Sequence, residues 1–403
     1  MSIIFHFILI TYANILVRLH ETSGPVLLNS YANFSKVKRI WKILDIRQCE
    51  GERNVSHDCF QIGNEGLNYC MCEKITVECR STQIPARNGL WRKMLRNRVN
   101  EDAIKFFDVF WIAAHNAGSD KLRFIPDKHG KFSVSKFGNS ECKIAASFSS
   151  LKIGRNLARF ASKSQLYDIS DLLEMGVRFF DIDVCIDNNG ELRTCHCLLG
   201  RRVSLVLKRI KDWLTLNSDE IVIFRFADGI SNNQVYSKLL VELLNHLNAY
   251  LIPNNMYNQT LSQLQSNNKR VLAIVRRKVA NSANVHYEHS LIRGRYSEHS
   301  DVEKVMNDQL LRLRNYISST LNTLHAYKSP NWKDMVKFAF FGETSSNEKS
   351  LINQKFVEHI QTAKWNSTMS SVNVIMLNNI NRDLVEQLRQ FIVNEPTNSN
   401  KCL

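Results

Sequence analysis

The chain has 403 residues, with 53 Lys+Arg against 38 Asp+Glu for a formal net charge of +15, and 44% of its residues are hydrophobic. That composition belongs to a folded globular protein able to bury a core, and it excludes wholesale disorder, collagen and coiled coil. No run reaches the roughly 20 apolar residues of a spanning helix, and the charge excess favours an anionic partner, either nucleic acid or an acidic lipid surface.

The first apolar stretch, Ile3 to Val17, is broken only by His6, Thr11, Tyr12 and Asn14 and has the length of a signal-peptide core. A buried N-terminal strand or helix is the competing reading, since no Lys or Arg precedes Ile3. Ten cysteines follow: Cys49, Cys59, Cys70, Cys72, Cys79, Cys142, Cys185, Cys195, Cys197 and Cys402. An even number with four Asn-x-Ser/Thr sequons, at Asn33, Asn54, Asn258 and Asn366, fits a secreted, disulfide-bonded glycoprotein. Zinc binding by His57 with Cys59, Cys70, Cys72 and Cys79 is disfavoured, because Cys70 and Cys72 are only one residue apart. The expected organisation is a signal peptide over 1–20, a Cys-containing extension over 21–100, a catalytic barrel over 101–395 and a tail over 396–403.

From Phe106 onward short apolar runs alternate with helical stretches. Strands are predicted at Phe107–Ala114, Val177–Val184, Leu192–Cys197, Ile221–Phe226, Val271–Val275, Val336–Phe341 and Val372–Leu377. Helices are predicted to end at Met175 and to span Val203–Leu214, Val235–Tyr250, Val302–Leu324, Leu351–Thr362 and Asp383–Val393. Strand alternating with helix calls for a parallel sheet with covering helices, and strands apolar throughout suit burial on both faces. An open doubly wound sheet and a closed α/β barrel both fit. No GxGxxG or GxxxxGK[ST] follows any strand, which removes the usual nucleotide-binding signatures of the open form.

In a parallel barrel the reactive groups sit at the C-terminal strand ends. There the sequence places His115-Asn116, the pair Asp181 and Asp183, and His196. Carboxylates at i and i+2 on a strand share a face, so Asp181 and Asp183, with the Asn116 carbonyl, make an oxygen set suited to calcium or magnesium. Histidines from two further strands would flank what the cation holds, an arrangement suited to phosphodiester chemistry. The cations Lys152, Arg155, Arg159 and Lys163 read as a solvated face or as an attraction for anionic headgroups.

The segments FWIAAHNAGSD, LLEMGVRFFDIDVC, ELRTCHCLLG, IKDWLTLNSDEIVIFRFAD and TLSQLQSNNKRVLAIV resemble the X domain of phosphatidylinositol-specific phospholipase C and its secreted single-domain relatives, the most specific piece being Gly176 to Asp181 with His196 downstream. The resemblance implies a TIM-like (β/α)8 barrel of the PLC-like phosphodiesterase type. It implies cleavage of the glycerol–phosphate bond of an inositol phospholipid at a membrane surface, through a cyclic inositol phosphate; no nucleic-acid partner is implied and no protein partner is inferable. His115 resembles the histidine that stabilises the phosphoryl group and His196 the general acid. Asp183 and Asn116 place the chain with the calcium-dependent branch, where Asp181 is both ligand and base. Three positions depart from the pattern: Cys197 replaces a glycine, Asn378 replaces an aspartate that orients a histidine, and Asp228 is the nearest candidate for a further metal carboxylate. These departures keep two alternatives open: a catalytically impaired barrel that binds anionic lipid, and a lipase of the glycerophosphodiesterase or sphingomyelinase-D type.

Overall fold

The computed structural model describes residues 38–45, 58–62, 69–76, 103–122, 162–228, 233–276, 284–297, 299, 301–313, 319–327, 345–360 and 372–394. The chain divides into two compact units, Met1–Pro85 and Ala86–Leu403. The first holds a three-stranded antiparallel sheet of β1 (Lys38–Asp45), β2 (Asp58–Ile62) and β3 (Tyr69–Thr76), with β3 in the middle. No strand pattern in the sequence announces it. The expected leader 1–20, the tail 396–403, the strand Val336–Phe341 and the cations Lys152, Arg155 and Arg159 lie outside the described residues.

The second unit is built on one long parallel ribbon. Its strands are β4 (Trp111–Ala114), β5 (Phe179–Ile186), β8 (Val222–Asp228), β9 (Val271–Val275), β10 (His286–Tyr287), β11 (Ile292–Arg293), β12 (Leu321–Ala326) and β13 (Val374–Leu377). In space the order is β10-β9-β8-β5-β4-β13-β12-β11. The first strand of the unit therefore pairs with its last, Ala114 beside Leu377, and both neighbours of β4 run parallel to it. An open doubly wound sheet has no reason to bring its chain ends together. Wrapping chain-order neighbours round until first meets last is the topology of a TIM-like barrel. An antiparallel excursion, β6 (Leu192–His196) and β7 (Leu198–Arg202), hangs on β5. Among the described residues no ladder joins β10 to β11; a single helical turn, Glu288–Leu291, separates them in sequence.

Helices cover the ribbon: α1 (Ile169–Met175), α2 (Val203–Leu216), α3 (Asn233–Leu247), α4 (Leu261–Ser266), the turn α5 (Glu288–Leu291), α6 (Val302–Leu313), α7 (Ser345–Ile360) and α8 (Arg382–Asn394). Every residue of β9 and β13 is buried, as expected for strands packed on both faces. Inside, Phe180, Phe224 and Phe226 stack in sequence with centroids 5.4 and 5.9 Å apart. Each buried Phe contributes about 1.5–3 kcal/mol of transfer free energy. The predicted helix over Val302–Leu324 is corrected: α6 stops at Leu313, and Leu321–Ala326 is the strand β12. Leu321 and Leu324 hide that change, because their spacing of three is that of one helix face.

The motif Gly176 to Asp181 has a part-by-part structural account. Asp168 caps α1 by accepting from the Asp171 backbone N–H, and Gly176 ends it in the left-handed region at φ 107°, where glycine alone is unstrained. Arg178 is buried: its Nε donates to Glu220 Oε2 at 2.8 Å, and Nη1 donates to the Leu173 and Val177 carbonyl oxygens. Its guanidinium also lies 4.7 Å from the Trp213 ring. One side chain thereby fastens the end of α1 to the loop that enters β8, fixing how Asp181 stands relative to its neighbours. Truncating Glu220 to Ala leaves this guanidinium buried without its carboxylate, and equilibrium urea unfolding should show a loss of about 3–5 kcal/mol.

Candidate active site

His115 follows β4 directly and is fixed from several sides. Its Nδ1 lies 2.8 Å from Asn378 Oδ1, an atom that can only accept, so the proton of the neutral ring sits on Nδ1 and the lone pair on Nε2. Nε2 is 3.9 Å from Asp181 Oδ2. The ring is stacked on Tyr327 with centroids 3.8 Å apart and planes 10° from parallel. Burial pushes the His115 pKa down, and although Asp181 and Asn378 pull it up, it settles at about 4. His115 is therefore neutral at pH 7. Behind it, His325 shares a hydrogen bond with the Tyr327 hydroxyl at 3.0 Å and, depressed by burial and by the Arg225 charge to about 3, is neutral too.

His196 ends β6. Its Nδ1 lies 2.5 Å from the Ser162 carbonyl oxygen, again an acceptor only, so Nδ1 donates. The centroids of the two imidazoles are 6.5 Å apart with their planes at 67°, the spacing of an edge-to-face pair. A strap of backbone joins the two rings. Ser119 Oγ accepts from the Ser164 and Gln165 backbone N–H groups, and Gln165 Nε2 donates to the His115 and Leu377 carbonyl oxygens at 2.9 Å each. Buried Gln165 thus ties the ends of β4 and β13 together while its neighbour Ser162 orients His196.

Asp181 lies on the floor of this space and is 2% exposed. In the β5–β8 register it stands beside Arg225, and side chains opposite one another on adjacent strands share a face. Arg225 Nη1 donates to Asp181 Oδ1, and Nη2 donates to Glu288 Oε1 at 3.0 Å. Burial alone would raise the Asp181 pKa, but Arg225 first and His115 second outweigh it and hold the carboxyl below the usual carboxylate range. Arg225 itself is raised above its ordinary value by Asp181 and Glu288 in spite of its own burial. Glu288 Oε2 is buried without a hydrogen-bond partner.

The structure sets His115 beside both Asp181 and His196. The metal expectation fares differently. A divalent cation needs free carboxylate oxygens, and Asp181 already carries a guanidinium on one oxygen. Asn116 is buried with its Nδ2 donating to Ser164 Oγ at 3.3 Å, while Asp183, half-buried, follows on the same face of β5. Among the described residues no three His, Cys, Asp or Glu side chains are grouped as metal ligands. The side chain of Asp228 lies outside the described residues, and its strand partner Val184 places its backbone beyond Asp183. One oxygen of the carboxylate expected to hold the ion is therefore engaged by Arg225. Sequence reasoning missed Arg225, Glu288, Tyr327, Ser162 and Gln165. The first was open to view, since an Arg inside the apolar run Val222–Phe226 is a charge that must be paired.

Comparison with known proteins bears on this geometry. Residues 144–278 match the family model described as phosphatidylinositol-specific phospholipase C, X domain. That span carries Asp181, Asp183, His196 and Arg225, with His115 before it. Among solved structures, the phosphatidylinositol-specific phospholipase C of Listeria monocytogenes aligns over 74% of this chain and 98% of its own, at 15% identity and a TM-score of 0.49. A variant of the enzyme of the same description from Staphylococcus aureus aligns over 71% and 93%, at 12% identity and a TM-score of 0.46. No curated protein matches the chain by sequence.

NMR titration of the imidazole resonances should place the His115 midpoint near 4. Asn378→Asp sets a carboxylate against Nδ1, which favours the imidazolium, so the midpoint should move upward. The depressed value also links to stability. An ordinary histidine in the unfolded chain protonates near 6.5, so His115 costs nothing above that pH, and its stabilising contribution is lost as pH falls from about 6.5 toward about 4.

Proposed function

We propose that this chain, a phosphatidylinositol-specific phospholipase C X-domain protein, cleaves the glycerol–phosphate bond of an inositol phospholipid by proton transfer between His115 and His196. The observation that supports the reading is the pair of imidazoles set edge to face with centroids 6.5 Å apart, each with its Nδ1 proton committed to a protein oxygen. Both rings then work through Nε2. The inositol 2-hydroxyl attacks phosphorus as His115 Nε2 takes its proton. The bond from phosphorus to the glycerol oxygen breaks as His196 Nε2 gives that oxygen a proton, leaving diacylglycerol and a cyclic inositol phosphate.

His115 serves better as the base than Asp181. The carboxylate is held ionised by Arg225 and is a weak proton acceptor near pH 7. His115 is neutral, and a bound phosphodiester anion beside it raises its basicity when the proton must move. Glu288 Oε2, buried and unpartnered, is an acceptor that a polyhydroxylated headgroup can fill. The Cys185–Cys195 disulfide, with Cα atoms 6.1 Å apart, and the disulfide-bonded Cys197 support an oxidising, extracellular setting.

Phosphorus NMR of the protein with phosphatidylinositol vesicles tests the reading. A cyclic inositol phosphate resonance is expected, and His115→Ala and His196→Ala should each lower kcat by about 10²–10⁴. Release of an acyclic product from the outset would instead indicate a glycerophosphodiesterase-type reaction. Absence of any turnover by folded, vesicle-bound protein would favour a barrel that only binds lipid.

A further inference from the structure

We propose that the Cys185–Cys195 disulfide is a positioning crosslink for His196: it pins the tip of the β6–β7 hairpin to the strand that carries Asp181, and so sets the proposed general acid within reach of the leaving oxygen. The inference rests on the phosphodiesterase reading above and deepens it.

The two histidines are mounted on different parts of the fold. His115 continues a strand of the parallel ribbon, and β4 has a paired strand on each side. His196 ends an antiparallel excursion. The ladder between β5 and β6 runs from Ile186–Leu192 through Cys185–Arg193 to Val184–Thr194 and stops there, two residues short of His196. Past that point the register between β6 and β7 shifts, and the ladder partner of His196 is Leu198, on the other side of Cys197. The base of the hairpin is held by the β5–β6 ladder and by Thr194, whose Oγ1 donates to the Gly118 carbonyl oxygen at 3.1 Å. The tip lies past both.

The disulfide closes that gap. Cys195 immediately precedes His196, and Cys185 stands opposite Arg193, so the bond runs diagonally across the end of the ladder with Cα atoms 6.1 Å apart. Cys185 also follows Asp181 and Asp183 at alternate positions of β5, on the same face. One covalent link therefore references the imidazole of β6 to the carboxylate of β5. Both cysteines are buried, packed with Leu199 of β7 in a small cluster of their own. With the backbone fixed in this way, the Ser162 carbonyl oxygen has only the ring to orient.

The test uses the full chain with Cys185→Ala and Cys195→Ala together, a variant in which Cys197 keeps its own disulfide. Circular dichroism checks the fold; if this variant does not fold, Cys185→Val with Cys195→Val restores the buried volume. A general acid matters for a poor leaving group and little for a good one. The variant should therefore lose about 10- to 100-fold in kcat on phosphatidylinositol vesicles, with little change in KM, but stay within about threefold on an aryl ester of inositol phosphate. In a His196→Ala background, removing the crosslink should cost less than about threefold further, because both changes act through one group. No loss on the lipid, an equal loss on both substrates, or a full loss persisting without His196 overturns the proposal. If the parent turns over neither substrate, the phosphodiesterase reading fails by itself. Nitrogen NMR of the imidazoles then still decides the positioning role: parent His196 should hold its proton on Nδ1, whereas the variant should show mixed tautomers at His196 with His115 unchanged. An identical His196 signal in both overturns the crosslink's role.

Discussion

The contact between Asp181 and Arg225 governs how the rest of the site is charged. Two unit charges about 4 Å apart attract by about 4 kcal/mol at an effective dielectric of about 20, and this attraction keeps the buried Asp181 carboxyl ionised, the guanidinium being charged in any case. With the pair formed, Asp181 stays anionic, its remaining oxygen lies 3.9 Å from His115 Nε2, and His115 stays neutral under its burial. Remove the guanidinium and the balance changes at both neighbours: the carboxyl would rise under desolvation, and it would compete with His115 for a proton. The pair is itself a product of topology. It exists because β5 and β8 are parallel neighbours in the register that sets 181 against 225, and that register is fixed below by the buried Arg178–Glu220 bridge at 2.8 Å.

A second regularity lies at the strand ends. His115 is followed by Asn116 at φ 48°, His196 by Cys197 at φ 59°, and Asn378 by Asn379 at φ 47°. Each site residue is thus the last extended residue before a left-handed turn. The turn swings the backbone away and leaves the side chain at the mouth of the barrel. Asn tolerates this conformation better than most residues, whereas Cys at this position stores strain of order 1 kcal/mol or more. The replacement of the resembling family's glycine by Cys197 therefore leaves the turn intact. Cys197 is buried and disulfide-bonded, and Cys195 on the other side of His196 is bonded to Cys185. Crosslinks on both sides of a histidine hold it where a single strand end would not.

Much of this was legible in the sequence, and the reasons for the failures are specific. His115, Asp181 and His196 could be found because they interrupt or terminate apolar runs, and strand ends of a parallel fold are where reactive groups gather. Gly176 marked a helix stop, and it is one. The helix predicted through Leu324 failed because Leu321–Ala326 is buried on both faces and carries Asn322, Thr323 and His325 among its apolar residues, so it lacks the alternation that separates strand from helix. The neighbours of Asp-x-Asp were not legible, because a sequence shows which residues share a face of their own strand but not what the next strand sets beside them. Arg225 lies 44 residues from Asp181, and only the register reveals that the two meet.

The two histidines are held differently, and the difference matches their proposed tasks. His115 is held by a stacked tyrosine, by Asn378 and by the Gln165 side-chain amide, which donates to its carbonyl oxygen. Burial lowers its pKa to about 4, so the ring is neutral at pH 7. His196 is oriented through the Ser162 carbonyl oxygen. A carbonyl oxygen only accepts, so it holds the proton on Nδ1 and fixes the orientation of the ring. Asn378 makes the same kind of contact to His115, yet burial dominates there. The proposed division of labour between base and acid thus rests on the surroundings of two otherwise identical rings, set by Tyr327, Asn378 and Gln165 around His115 and by the Ser162 carbonyl oxygen at His196.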